Sequence, residues 1–316
     1  MSGLSPNPLA PCGRGSRPVV ILGARGLLGQ ALVRECARRG WVSIGISRAT
    51  GVDLASVADL EPLLSPQHPA LVVNAAAMTN LQDNESQADR AYALHAGLPA
   101  KLTAWSAKSG VPWVQVSTDH FFSGSSNTLH DEAAPVRLLN TYARSKHAGE
   151  QAALTSPLAL VLRTNIVGFR GWADEPSFVE WALHALRGTQ AFTLYDDVWT
   201  SSLTARQFAA ALFDLQAIHA RGLWNLAARE AASKAEFVLA LARACALSAA
   251  HAHVAHRSPH SKPPRANAMG LDVRRAEALL QRRLPGTQEV IAALRDEWLA
   301  GRGLHKPEIQ HADAAA

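Results

Sequence analysis

The chain has 316 residues, of which 48% are hydrophobic and 18% charged, so a wholly disordered chain is excluded. Its 31 Lys and Arg residues against 26 Asp and Glu residues give a net charge of +5. Because the arginines are scattered without a long basic block, we expect no nucleic-acid partner, although an anionic nucleotide would be attracted. No apolar run is long enough to cross a membrane, so we expect no membrane association.

The three cysteines, Cys12, Cys36 and Cys245, show no paired spacing. This argues against a disulfide framework or a zinc knuckle and indicates a reducing, cytoplasmic location. Residues 1–16 are dominated by Pro and Gly and are predicted to be a disordered tail, and residues 303–316 a second tail.

From Arg17 onwards, short apolar runs alternate with segments of helical periodicity. The predicted strands are residues 18–22, 41–46, 71–74, 113–117 and 158–162. The predicted helices are residues 27–39, 85–109 and 141–154. This alternation predicts an α/β fold with a doubly wound parallel sheet of the Rossmann type.

The second half is predicted to be a smaller, mostly helical C-terminal domain over the carboxyl edge of the sheet. It has one predicted strand at 222–227 and helices at 176–186, 203–215, 233–246, 271–280 and 288–299. We therefore predict a first domain over 17–170 and a second, substrate-binding domain over 171–190 and 226–302. Residues 191–225 are expected to return to the first domain.

A glycine-rich segment, Gly23-Ala-Arg-Gly26-Leu-Leu-Gly29, joins the first strand to the first helix. Glycines there allow a sharp turn, a close approach of backbone N–H groups to a pyrophosphate, and tight packing of helix on strand. The alternative is an ordinary glycine-rich turn. Its position after an apolar strand favours an NAD(P)-binding first domain, with the following pyrophosphate-binding residues: Gly23, Arg25, Gly26, Leu27, Leu28 and Gly29.

Cofactor type depends on the end of the second strand, which reads Ser47-Arg48 and carries no carboxylate. A cation there suits the additional phosphate of NADP, and Arg25 is a second candidate, so we expect NADP with NAD as the alternative. Both arginines could instead be solvated surface charges. Asp53 is a candidate contact for the adenine. Small residues after the third strand would let a flat cofactor approach or let a helix pack: Asn74, Ala75, Ala76 and Ala77.

Tyr142 and Lys146 are four residues apart on a predicted helix and therefore share one face. A nearby ammonium lowers the pKa of a phenol, so the pair is suited to proton transfer near neutral pH. Thr118 follows a strand at the edge where ligands of such sheets bind, and its hydroxyl could bond a substrate carbonyl. The alternative is a buried Tyr and a Lys with a solvated end on an ordinary amphipathic helix.

Together these segments resemble the extended short-chain dehydrogenase/reductase family, closest to its dTDP-4-dehydrorhamnose reductase (sugar-nucleotide reductase) branch. The resemblance covers about residues 17–170, with looser likeness at 222–227 and 271–272. Its matching segments are Gly23–Gly29, Asn74–Asn80, Val116–Gly124, Tyr142–Glu150 and Leu162–Thr164.

The resemblance implies reduction of the C4 ketone of a nucleotide-linked deoxysugar by NADPH or NADH, with Thr118, Tyr142 and Lys146 as the catalytic triad. Tyr142 and Lys146 would also contact the cofactor. The implied partner is a nucleotide sugar, no metal is expected, and a homodimer is an open alternative to a monomer. Expected substrate contacts are Asp119, His120, Asn165, Phe178 and Trp199.

The chain departs from the branch at three places. His120 stands where Tyr is usual, and His95 where Asn is usual. The segment Asp196–Ser201 replaces the usual Asp-Gln-x-Gly-x-Pro, which leaves the sugar and the nucleotide open. Four aromatic residues are either stacking partners for a base or sugar or plain core: Trp172, Phe178, Trp181 and Trp199.

The same residues allow four alternative functions to be compared with the reductase. A dehydratase is disfavoured because His120 replaces the acidic residue that such enzymes carry after the Asp. An epimerase uses the same Tyr and Lys and stays open, as does a non-catalytic NADP- or sugar-nucleotide-binding regulatory subunit. Metal binding by His251, His253, His256 and His260 is disfavoured because the spacing fits no common zinc pattern, and a solvated loop is expected there.

Overall fold

The structure is a computed structural model that describes residues 17–124, 127–172, 174–257 and 262–301. The two predicted tails lie outside these residues. Its strands are β1 (Val19–Leu22), β2 (Ser43–Ile46), β3 (Leu71–Asn74), β4 (Trp113–Val116), β5 (Leu129–His130), β6 (Ala159–Arg163), β7 (Ile166–Val167), β8 (Phe192–Tyr195), β9 (Trp199–Thr200), β10 (Leu203–Thr204), β11 (Gly222–Asn225), β12 (Ala232–Ser233), β13 (Ala252–Ala255) and β14 (Ala268–Leu271).

The helices alternate with the strands in the first half of the chain. They are α1 (Leu27–Arg38), α2 (Glu61–Leu64), α3 (Leu81–Ser86), α4 (Ala88–Tyr92), α5 (Leu98–Ser109), α6 (Thr141–Leu154), α7 (Phe178–Arg187), α8 (Ala205–Ala217), α9 (Lys234–Ala244), α10 (Arg274–Leu280) and α11 (Thr287–Leu299). A π-helical segment, Ala93–Gly97, joins α4 to α5.

Six strands form the central sheet in the order β11-β6-β4-β3-β1-β2, and every pair in it is parallel. Successive residues of a strand point to opposite faces. In β1, Val19 and Ile21 accordingly pack into the core shared with α1 and α8, whereas Val20 and Leu22 pack into the core shared with α5. The predicted doubly wound α/β sheet with helices on both faces is confirmed.

The second half combines helices with short strands. A four-stranded sheet has the order β12-β9-β14-β5, and β8 pairs with β13. Helix α8 packs against α1 and β11 joins the edge of the central sheet, whereas β8 and β9 pair with later strands. The domain boundaries therefore stay a prediction.

Two local predictions are wrong. Residues 271–280 are not one helix, because Leu271 ends the buried strand β14, which pairs with β5 and β9, and α10 starts only at Arg274. Residues 252–255 form strand β13 rather than a solvated loop, since they pair in parallel with β8. Neither pairing leaves a local trace in the sequence, because each partner strand lies about 60 or more residues away.

Candidate active site

A cleft of about 1280 Å³ opens where the strands of the central sheet end. Parallel sheets of this kind bind ligands outside the carboxyl ends of their strands. Its wall is formed by the glycine-rich loop after β1, the end of β2, the loop after β3, the residues after β4, one face of α6, and the start of α7. The size is sufficient for a dinucleotide together with a second ligand.

The loop after β1 lies at one end of the cleft. Gly23 has a φ of +84°, and a Cβ at this position would stand 2.8 Å from the backbone of Ala76, so only glycine fits. Gly26 is the N-cap of α1, and the helix N-terminus therefore faces the cleft. Arg25, Leu27 and Leu28 also line the wall, whereas Gly29 is buried within α1 and does not.

The end of β2 brings unpaired polar groups to the same part of the cleft. Arg25 and Arg48 are exposed, line the wall, and form no ion pair within the part of the chain that the structure describes. The Ser47 hydroxyl is buried there and has no hydrogen-bond partner among the described residues. Asp53 instead pairs with Arg90 at 2.9 Å. The region therefore offers two free guanidinium groups and one free hydroxyl to an anion.

The loop after β3 faces the cleft with Ala75, Ala76 and Ala77. Asn74, predicted to contact the cofactor, does not reach the wall. Its side chain is buried, donates to Gln115 Oε1 at 2.8 Å and accepts the backbone N–H of Ala76 at 3.2 Å. Asn74 thus holds the loop after β3 in place through hydrogen bonds on the side away from the cleft.

The three predicted catalytic residues are brought together on one wall. Thr118 follows β4, while Tyr142 and Lys146 are one turn apart on α6, and all three are buried and line the cleft. The α6 helix starts at an Asn140 N-cap, whose side chain accepts the backbone N–H of Ala143 at 2.8 Å. The ammonium group of Lys146 donates to the backbone carbonyl of Val116 at 2.7 Å.

The protonation of Tyr142 differs from expectation. Burial raises the pKa of its phenol to about 12; the Thr118 side chain facing it opposes this rise and the charge of Asp119 adds to it. Burial also lowers the pKa of Lys146 to about 8, against the charge of Glu150. The prediction that Lys146 lowers the pKa of Tyr142 is therefore wrong here, because burial dominates. The Tyr142 phenol is therefore neutral near pH 7 and can donate a hydrogen bond.

A polar network continues from Thr118 towards the second half of the chain. Asp119 is buried, accepts a hydrogen bond from Asn165 Nδ2 at 2.9 Å, and lies next to Thr118. The Asn165 oxygen in turn accepts a hydrogen bond from Ser202 at 2.7 Å. Asp119 and Asn165 both line the cleft, and their contact with a substrate stays a prediction.

His120 also lines the cleft, with its ring packed edge-on against Tyr142 at 5.4 Å. Its Nδ1 is buried without a hydrogen-bond partner. Burial lowers the pKa of His120 to about 4, and the charges of Lys234, Arg265 and Arg257 contribute. The ring is therefore neutral near pH 7.

Lys234 was not predicted as a site residue. It is the first residue of α9, with its ammonium 4.2 Å from the centre of the Phe178 ring. Burial lowers the pKa of Lys234, and the charge of Asp119 opposes that shift. The ammonium has no hydrogen-bond acceptor among the described residues. In the sequence, Lys234 is only one of many charges at a helix start, so no local signal marks it.

Of the four aromatic candidates, Phe178 and Trp172 line the cleft. Trp199 lies outside the wall, in β9, where its backbone pairs with Asn267 and its strand with β12 and β14. Trp181 is 39% exposed and stacks on Phe178.

In the ranges that the structure describes, no three His, Cys, Asp or Glu side chains are grouped as metal ligands. Over the same ranges, no helix combines the length and apolar character that crossing a bilayer needs.

Comparison with known proteins assigns the chain to a family. Residues 17–299 match the family described as RmlD substrate binding domain. The chain is 34% identical over 226 residues to a dTDP-4-dehydrorhamnose reductase of Mycobacterium tuberculosis, covering 69% of this chain and 71% of that protein. It is 33% identical over 159 residues to methionine adenosyltransferase 2 subunit beta of Rattus norvegicus, covering 48% and 47%.

Among solved structures, dTDP-4-dehydrorhamnose reductase of Bacillus anthracis in complex with NADP superposes with a TM-score of 0.81. The likeness covers 89% of this chain and 99% of that one at 19% sequence identity, so it concerns the fold.

Proposed function

The chain belongs to the RmlD substrate binding domain family, within the extended short-chain dehydrogenases/reductases, and we propose that it uses NADPH to reduce the 4-keto group of a nucleotide-linked deoxysugar. The observation that carries this proposal is the neutral Tyr142 phenol facing Thr118 on the wall of a dinucleotide-sized cleft. Relatives named as reductases support the assignment of the protein as an oxidoreductase.

The residues present fit a dinucleotide. The N-terminus of α1 and the backbone of Gly23 and Gly26 would hold its pyrophosphate. The unpaired Arg25 and Arg48, together with the partnerless Ser47 hydroxyl, would hold the phosphate that distinguishes NADP from NAD. NADP is bound by the solved relative from B. anthracis, and NAD stays the alternative.

When bound, the dinucleotide supplies the hydride that reaches the carbonyl carbon of the sugar. Tyr142 donates its phenolic proton to the carbonyl oxygen as the negative charge develops there, which contributes roughly 10²–10⁴ in rate. Thr118 donates a hydrogen bond to the same oxygen. The positive charge of Lys146 stabilises the tyrosinate that remains until solvent returns the proton. The net change is one C–H bond and one O–H bond formed from C=O.

Asp119, Asn165 and His120 form the polar side of the cleft beyond Thr118, and the charge of the buried Lys234 acts on both Asp119 and His120. We propose that these groups bind the substituents of the sugar nucleotide. The His120 Nδ1 lacks a hydrogen-bond partner among the described residues, and a polar group of the substrate would satisfy it. The sugar and the nucleotide are not specified by these contacts.

The test is NADPH oxidation by the purified protein with a dTDP-4-keto-6-deoxyhexose. The proposal expects turnover and a 4-hydroxy product. Interconversion of sugar-nucleotide epimers without net cofactor consumption would instead identify an epimerase.

The match to methionine adenosyltransferase 2 subunit beta supports a second candidate, a dinucleotide-binding regulatory subunit. That candidate predicts tight NADPH binding with no turnover of any 4-keto sugar nucleotide offered.

A further inference from the structure

His95 is a buried histidine that the proposed mechanism does not use. It is 1% exposed and lies in the π-helical segment Ala93–Gly97. Single π-helical turns within longer helices are frequent at functional sites. Both ring nitrogens of His95 are hydrogen-bonded, one to the loop after β3 and the other to α6.

On one side, His95 Nε2 accepts the backbone N–H of Met78 at 2.9 Å. Met78 lines the cleft in the loop after β3. On the other side, Nδ1 lies 2.9 Å from the Ser145 hydroxyl oxygen. Because Nε2 is an acceptor, a neutral ring carries its proton on Nδ1 and donates it to Ser145.

The Ser145 hydroxyl makes a second hydrogen bond, which it donates to the backbone carbonyl of Tyr142 at 3.1 Å. Ser145 is fully buried and precedes Lys146 on α6. The bridge therefore runs from the cleft loop at Met78, through the imidazole, to the turn of α6 between the two proposed catalytic side chains.

The ring of His95 does not take part in proton transfer. Burial lowers its pKa to about 2, and the nearby charge of Lys146 contributes. Its one proton and its one lone pair are both committed to hydrogen bonds. A residue in this state holds its neighbours in place at every working pH.

The backbone of the π-helical segment makes a second contact with the same helix. A Cβ at Gly149 would stand 1.7 Å from the His95 carbonyl oxygen, so α6 packs backbone to backbone against this turn. Any displacement of the π-helical turn would therefore move the helix that carries Tyr142 and Lys146.

We infer that His95 is a positioning residue, whose neutral imidazole fastens the cleft loop at Met78 to α6 at Ser145 and so holds the two walls of the cleft in register. The kinetic part of this inference rests on the proposed function, whereas the effect on dinucleotide binding does not.

The test separates the two hydrogen bonds. His95→Gln retains an acceptor that can reach the Met78 N–H but has no donor near Ser145, so NADPH affinity should stay within about threefold while kcat falls about tenfold. His95→Leu loses both bonds, and NADPH should bind about tenfold more weakly. Ser145→Ala should reduce kcat like His95→Gln, and the double variant should be no slower than either single variant.

Ser106→Ala is the matched control, since Ser106 is equally buried on α5 but bonds the Val111 carbonyl, outside the cleft. It should leave kcat and NADPH affinity unchanged. The inference would be overturned if the kcat losses of His95→Gln and Ser145→Ala multiplied in the double variant. It would also be overturned if His95→Gln lost a limb of the pH–rate profile, or if His95→Leu bound NADPH as tightly as the unaltered protein. If the unaltered protein binds NADPH but reduces no sugar, the proposed function fails, and the NADPH affinity of His95→Leu still decides the role of His95.

Discussion

Lys146 donates a hydrogen bond of 2.7 Å to the backbone carbonyl of Val116, at the end of β4. The contact joins α6 to the central sheet two residues before Thr118. It holds the ammonium in a buried position where burial lowers its pKa to about 8 while the pKa of Tyr142 is raised to about 12. Lys146 is thus the group of the pair that changes charge in the range in which activity is measured.

The pH dependence of the reaction follows from these shifts. As pH rises through about 8, Lys146 loses its proton and its ability to stabilise the tyrosinate, whereas Tyr142 remains protonated. We expect kcat/KM for NADPH, which reports on the unliganded enzyme, to fall above about pH 8. A profile that stays level to pH 10 would contradict this assignment.

We expect cofactor preference to depend on Arg48. Arg48→Ala should weaken NADPH binding by about tenfold or more through loss of a charge-assisted contact, and leave NADH binding nearly unchanged. Fluorescence titration of both cofactors measures the two dissociation constants. Arg187→Ala, an arginine of α7 outside this cleft, is the control. Equal losses for both cofactors would show that Arg48 does not contact the phosphate.

Lys234 should act on the substrate alone. Lys234→Met removes the ammonium but keeps the length of the side chain, so KM for the keto sugar nucleotide should rise about tenfold, with NADPH affinity unchanged. Lys101→Met, on α5 with its ammonium bonded to the Val57 carbonyl, should change neither value. If the KM of Lys234→Met equals that of the unaltered protein, Lys234 has no contact with the substrate.

The buried ion pair of Glu150 and Arg163 stabilises the frame of the site. The pair has a 2.6 Å contact, and Glu150 also accepts the Ser117 hydroxyl at 2.8 Å. Glu150→Gln leaves the buried Arg163 charge uncompensated and should lower the free energy of unfolding by about 3–5 kcal/mol. Urea denaturation measures this change.

An exposed pair provides the control for that measurement. Asp296 is 65% exposed and pairs with Arg295, so Asp296→Asn should cost less than about 1 kcal/mol. Similar losses for the two variants would mean that burial of the Glu150 pair adds nothing.

The first half of the chain was predictable because its evidence is local. Each buried strand and each amphipathic helix lies within a short window, and α5 ends at Ser109, where the predicted helix over 85–109 also ends, with Gly110 as its left-handed C-cap. The glycine-rich loop after β1 and the Tyr142–Lys146 spacing are also short local patterns, so both could be found from the sequence.

The remaining features depend on distant partners. The ends of β14 and β13 are set by pairing with β9 and β8, and burial, which raises the pKa of Tyr142, arises only when several elements pack around it. Lys234 meets Asp119 across more than a hundred residues of chain. The reducing location and the homodimer stay predictions.

The most direct measurement of the central claim is the rate of NADPH oxidation by Tyr142→Phe with a dTDP-4-keto-6-deoxyhexose. Loss of the phenolic proton should reduce kcat by roughly 10²–10⁴-fold, because the variant cannot transfer a proton from residue 142 to the carbonyl oxygen. NADPH affinity should be unchanged within about threefold, since the aromatic ring and Lys146 remain. Undiminished turnover by this variant would contradict the assignment of Tyr142 as the proton donor.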